Sequence, residues 1–249
     1  KPYESHGYLV WSDVGSKFEK PSIAVGRFTW PGERRLDLEM VRLGRSGTTN
    51  PNGIMPSMAS NRPVPTNYDL TSAQTPPPVI MDFWCRFAFS SSWFGDLFKS
   101  MCDYNHRMLL VYSGDLRWTT EGLKNLEEPW RDCSANPADC YFWIGHSIKY
   151  IVFRPGDDKV LVRGHLADVR NYSEYDEVLD HAIQPEVVWN EALQKWIVMW
   201  EESYFDPDML NPEGEWGERV WYRKTRTVDE QGNLGPVYTV GRCLLGADD

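Results

Sequence analysis

The densest group of chemistry-bearing side chains is "EESYFDPDMLNPEGEWGE", Glu201 to Glu218, with seven acids in eighteen residues. Closely placed carboxylates suit a hard cation such as calcium. Asp206 and Asp208 start with EF-hand spacing, but Leu210 and the missing central glycine break that pattern. A solvated acidic loop is therefore expected, with a structural calcium ion as the only cofactor considered and no metal site assigned. The histidines His6, His106, His146, His165 and His181 are scattered, and His165, in "RGHLAD", lies near Asp168. The five cysteines at 85, 102, 133, 140 and 243 contain no CxxC and no zinc spacing. Asp82 stands inside the apolar run "VIMDFW", where a carboxyl needs a partner or a task. There is no GxSxG, P-loop, GxGxxG or HExxH, which argues against esterase, nucleotide-binding and zinc-protease chemistry.

Bulk composition narrows the partners. A net charge of −10 argues against nucleic acid, whose phosphates require a basic patch. No run of eighteen apolar residues is present, so no transmembrane helix is expected. The 12 Trp, 12 Tyr and 10 Phe are unusually many. Most should build core, and exposed ones would offer flat platforms to sugar rings or partner proteins. Cys133 and Cys140 bracket "SANPAD", a turn that a disulfide would close, and Asn171 opens a glycosylation sequon. With a first residue of Lys1 rather than Met, these features predict a secreted product.

The elements that must position such residues are strands. Candidates fall at 7–11, 22–30, 36–44, 79–89, 106–113, 140–147, 149–155, 159–169, 186–190, 195–203, 219–228 and 235–241. Helical patterns are confined to 91–105 and a short piece at 173–183. The proline-rich segment 46–78 is expected to be a long surface loop within one domain spanning 1–249. In "QPEVVWNEALQKWIVMWEES" two apolar runs flank "NEALQ" as a hairpin. Its second run puts Trp196, Val198 and Trp200 on one face and Ile197 and Met199 on the other. A strand apolar on both faces must be covered on both. That favours an all-β five-bladed propeller, whose blades pack face to face, over a β-sandwich as the alternative.

The same hairpin, with "ERVWYRKTRTVDEQGNLGPV" after it, resembles the blades of five-bladed propeller glycosidases related to glycoside hydrolase family 43. The resemblance covers about 55 residues of the chain. It implies a carbohydrate partner and hydrolysis of a glycosidic bond by carboxylates from separate blades around a central funnel. One acts as base on water, one protonates the leaving oxygen and a third tunes the acid. Carried over, Asp13 is the candidate base, Asp82 the candidate modulator and Glu186 the candidate acid. Trp11, Trp189 and His165 are the candidate sugar contacts. In the family the acid of this hairpin precedes the proline, whereas here Ile183 and Gln184 precede Pro185 and Glu186 follows it. A shift of one residue turns a strand side chain to the opposite face. The alternative to hydrolysis is therefore a non-catalytic sugar-binding or protein-interaction propeller.

Overall fold

A computed structural model describes residues 5–13, 20–30, 38–61, 106–119, 142–154, 158–169, 180–210 and 216–243. Among them every regular element is a strand. The first sheet is a meander of β1 (Ser5–Asp13), β2 (Ser22–Trp30) and β3 (Leu38–Val41). The central sheet has the order β4 (Ile54–Ser60), β5 (Met108–Gly114), β8 (Ser147–Arg154) and β9 (Lys159–Asp168). Between β5 and β8 the chain forms a two-stranded ribbon of β6 (Arg117–Thr119) and β7 (Phe142–Ile144). The C-terminal sheet is a second meander, β10 (His181–Asn190), β11 (Lys195–Leu210), β12 (Trp216–Val228) and β13 (Tyr238–Cys243). All pairings within these sheets are antiparallel.

Side-chain alternation explains the layering. Every residue of β5, "MLLVYSG", is buried, as are six of the eight in β8. Met108 pairs with Phe153 and Leu110 with Ile151, and this face packs on Ile23, Val25, Val41 and Leu43 of the first sheet and the chain just after it. Leu109 pairs with Val152 and Val111 with Tyr150, and the opposite face packs on Trp189, Trp196, Val198 and Trp200 of the C-terminal sheet. The central sheet is thus the middle layer of a sandwich-like stack of three, with its inner strands β5 and β8 buried on both sides and its outer strands β4 and β9 partly open. Near-continuous apolar runs are what such a position requires.

The hairpin of β10 and β11 forms as its sequence indicates. Asn190 Oδ1 accepts the Leu193 N–H at 2.9 Å inside the turn, and Gln194 takes a left-handed φ of 51° to close it. Trp189 and Trp196 pair across the strands and meet edge to face with ring centroids 5.1 Å apart. The face of β11 carrying Trp196, Val198 and Trp200 is buried, while Ile197 and Met199 on the other face are only half-buried.

Several expectations meet a different outcome. Ile54–Ser60, inside the proline-rich segment, is a strand that pairs with β5, and 62–78 lies outside the described residues. Pro56 removes one backbone donor, so the strand starts with a bulge there and pairs regularly only from Ser57 onward. The helix expected over 173–183 gives way at its end, where His181–Ile183 open β10; 173–179, the helix at 91–105 and the strand at 79–89 lie outside the described residues. The acidic block is not simply a loop. Glu201–Leu210 continue β11 and pair with β12, Asp206 opposite Glu218 and Leu210 opposite Trp216.

Candidate functional site

The first strands of the three sheets, β1, β4 and β10, come together through polar ties. Met55 N–H of β4 donates to Ser12 Oγ of β1 at 3.1 Å. Val187 N–H of β10 donates to Ser57 Oγ of β4 at 3.2 Å. Lower down, Ser113 of β5, the partner of Ile54, donates its hydroxyl to the Ala182 carbonyl of β10 at 2.5 Å. The two ties ascend β4 from 54 to 57 and β10 from 182 to 187. The strands therefore run side by side in one direction.

Both strands carry the same local device. Ile54-Met55-Pro56-Ser57 and Ile183-Gln184-Pro185-Glu186 each contain a register shift from the isoleucine to the fourth residue. In each the residue before the proline has φ of 51°. A proline pushes its predecessor toward extended backbone, and left-handed φ is costly for residues other than glycine. Such strained positions within strands occur where a bulge re-aims a side chain, often beside a site. Several side chains of these strands are open to solvent: Asp13, Gln184 and Glu186 are exposed, and Met55 is 41% exposed. Ile183 and Pro185, by contrast, face inward.

Of the residues singled out from sequence, Asp13 at the end of β1 and Glu186 in β10 lie on first strands that flank β4. Asp82 lies outside the described residues. Trp11 is half-buried opposite Ala24 of β2. Trp189 is a core residue, 8% exposed, with its Nε1 donating to Glu191 Oε2 at 2.7 Å, so its ring packs on Trp196 and not on solvent. Sequence alternation identifies which residues share a face, but the neighbouring sheet decides which face is covered.

His165 belongs to a separate cluster on β9, the strand of the central sheet farthest from β4. Its Nε2 lies 3.2 Å from Asp115 Oδ2, and ligand atoms of Asp115, His165 and Asp168 all fall within 4.8 Å of one another. A histidine with two carboxylates is a chemically reasonable set for a divalent transition metal. Here Asp115 is already engaged: Lys149 Nζ donates to Oδ1 and Ser147 Oγ to Oδ2, each at 2.6 Å. The ammonium supplies the positive charge a cation would bring, so the cluster is an ion-pair hub joining the β5 end to β8 and β9.

A buried polar seam closes the other side of β10. His146 Nδ1 lies 2.6 Å from the Asp180 carbonyl, Ala182 N–H donates to Gly145 O at 2.9 Å, and His146 N–H donates to Gly114 O at 3.0 Å. His181, 1% exposed, meets Trp221 edge to face with ring centroids 5.9 Å apart. Burial pushes its pKa down to about 4, against the opposing pull of the Asp180 carboxylate. Glu202, also buried, accepts Trp200 Nε1–H at 2.7 Å and the Tyr204 hydroxyl.

Sequence reasoning did not single out Ser12, Met55, Ser57 or Gln184. The recurrence of Ile-x-Pro at 54 and 183 was the available signal. The chain matches no family model, no curated protein and no solved structure. No helix among the described residues is long and apolar enough to cross a membrane.

Proposed function

We propose that this protein is a carbohydrate-binding member of the propeller class, holding a glycan at the converging first strands. The observation that carries the reading is the polar tying of β1, β4 and β10, with Met55 and Gln184 exposed on β4 and β10 and the carboxylates Asp13 and Glu186 exposed on the outer faces of β1 and β10. Carboxylates and a carboxamide supply the acceptors and donors that sugar hydroxyls need, and the thioether supplies an apolar contact for a ring face. The five-bladed architecture belongs to this proposal. Its support is the order of the sheets: successive antiparallel meanders, stacked face to face, each contributing its first strand to one shared line. Secretion fits the same reading, because extracellular glycans are its natural targets.

Binding without catalysis is favoured over hydrolysis by two facts. The place before Pro185 holds no carboxyl, with Ile183 buried and Gln184 neutral. Glu186 is exposed and shares its face of β10 with Val188, opposite the face that packs on the central sheet. The second reading is glycoside hydrolysis with Asp13 as base and Glu186 as acid; strand alternation counts against it, because it turns Asp13 and Glu186 onto the outer faces of their sheets, away from the faces that pack on the central sheet. The deciding experiment incubates the protein with soluble oligosaccharides and measures both retention and release of reducing ends. Retention without release supports the binder. Release that disappears in both Asp13→Asn and Glu186→Gln supports the hydrolase, and neither retention nor release removes the carbohydrate proposal.

A further inference from the structure

β4 ends on a serine, Ser60, and a histidine, His106, stands just before β5. They are 46 residues apart in the chain, yet Ser60 Oγ lies 2.8 Å from His106 Nε2. Both are half-buried, so the fold holds the pair and solvent still reaches it. Ser60 pairs with Met108 just as Met58 pairs with Leu110, on the face of the central sheet that looks toward the first sheet. A clamp one residue further along fixes the two backbones. Asn61, 5% exposed, donates its N–H to the Arg107 carbonyl at 3.0 Å and accepts the Arg107 N–H on Oδ1 at 2.9 Å. Its Nδ2 donates to Glu230 Oε1 at 2.5 Å, in the turn that follows β12. Arg107 folds back so that its guanidinium donates to the His106 carbonyl at 2.8 Å, which sets a cation beside the pair.

We propose that Ser60 and His106 are a nucleophile–base pair, and that the protein cleaves acyl esters there through an acyl-serine intermediate. The pair stands at the other end of β4 from the Met55 bulge and does not rest on the carbohydrate reading. A serine hydroxyl is a weak nucleophile until an adjacent base takes its proton, and hydroxyl and imidazole at hydrogen-bond distance are the geometry that step requires. Ser60 Oγ bonds to the ester carbonyl carbon while its proton passes to His106 Nε2. Collapse of the tetrahedral oxyanion expels the alcohol, which takes that proton from His106. Water then attacks the acyl-serine and gives a proton to Nε2. The carboxylic acid leaves as Ser60 Oγ regains that proton. The Arg107 guanidinium has the charge that favours the oxyanion. Esters are the substrate class because their carbonyl is more open to attack than that of an amide, whose nitrogen shares its lone pair with it. The motif GxSxG places its serine on a strand-to-helix turn, whereas here the serine closes a strand and the base precedes the neighbouring one. Such pairs are recognised by geometry and not by sequence position.

The first test uses the unaltered protein. It is incubated with a fluorophosphonate, which transfers its phosphonyl group to an activated serine with loss of fluoride, and the modified peptide is mapped by mass spectrometry. Hydrolysis of p-nitrophenyl acetate is followed alongside. Expected are a phosphonyl group on Ser60 and ester hydrolysis that this label abolishes. Ser60→Ala should remove both. His106→Ala should slow both by about a hundredfold or more, and added imidazole should restore part of the rate, a rescue that a merely structural histidine would not show. The parent's labelling decides the case even where a variant fails to fold. A parent unlabelled at Ser60, or a hydrolysis rate unchanged in His106→Ala, would overturn the inference. Neither result bears on oligosaccharide retention, which is measured separately.

Discussion

The central and C-terminal sheets are built from similar hairpins yet differ in what covers them. In the central sheet both faces of β5 are buried, one against the first sheet and one against the tryptophans of β10 and β11. In the C-terminal sheet the tryptophan face is buried, while the other carries half-buried Ile197 and Met199 beside exposed Val188 and Glu186. Apolar residues on both faces of a strand therefore do not by themselves state that both faces are sealed. What seals a face is a neighbouring sheet, and sequence alternation contains no information about that neighbour.

The largest effects should come from the shared interface. Trp196 is fully buried and packs on Trp189 from its own sheet and on the central sheet. Trp196→Ala is expected to cost about 3–5 kcal/mol, read as a lowered urea midpoint. The central sheet should then be sensitive on both faces. Leu109→Ala, toward the C-terminal sheet, and Ile151→Ala, toward the first sheet, should each cost about 2–5 kcal/mol. A near-zero effect at Ile151 would mean that the first sheet does not seal that face, and the three-layer comparison would fail.

An acid-induced loss of stability should come next in size. His181 is neutral when folded, with a pKa lowered to about 4, and its ordinary value is 6.5. Between these two values the unfolded chain binds a proton that the folded chain does not. Stability from this residue is thus fully present above pH 6.5 and declines as pH falls toward 4, by up to about 3 kcal/mol. His181→Phe keeps a ring against Trp221 and should flatten the stability profile over that window. An unchanged slope would assign the acid sensitivity elsewhere. Glu202→Gln is the smaller companion: it replaces a buried carboxylate that accepts from Trp200 and Tyr204, and should cost about 1–3 kcal/mol by urea titration.

How much of this was legible in the sequence depends on the physical source of each feature. β2 is legible at its observed limits, because "SIAVGRFTW" is β-branched and aromatic and lies between turn-forming stretches. β4 was hidden because Pro56 and its small polar neighbours carry the composition of a loop, and its strand character comes from pairing with β5. The sequence makes Trp189 a candidate sugar platform, yet its face is closed by a sheet contributed from far along the chain. For the candidate site, Asp13 and Glu186 were named as charges. Met55 and Gln184 were not, because a left-handed φ before proline runs against local preference and becomes visible only in three dimensions.

The smallest expected effect sharpens the comparison most directly. Val188 is 58% exposed and pairs with Ile197 on the open face, which farther along β11 also carries the Glu201–Arg223 ion pair at 2.7 Å. If that face is open in solution, Val188→Thr keeps the β-branched shape that strands favour and removes little buried area. Stability should change by less than about 0.5 kcal/mol. If another layer covers the face, the same substitution places an unsatisfied hydroxyl in an apolar contact and should cost about 1–3 kcal/mol. A loss of that size at Val188, matched by a similar loss in Met199→Ala, would make the two sheets equivalent, both sealed on both sides. A negligible change at Val188 with a full loss at Trp196 would establish that the C-terminal sheet presents one working face to the core and one to its surroundings.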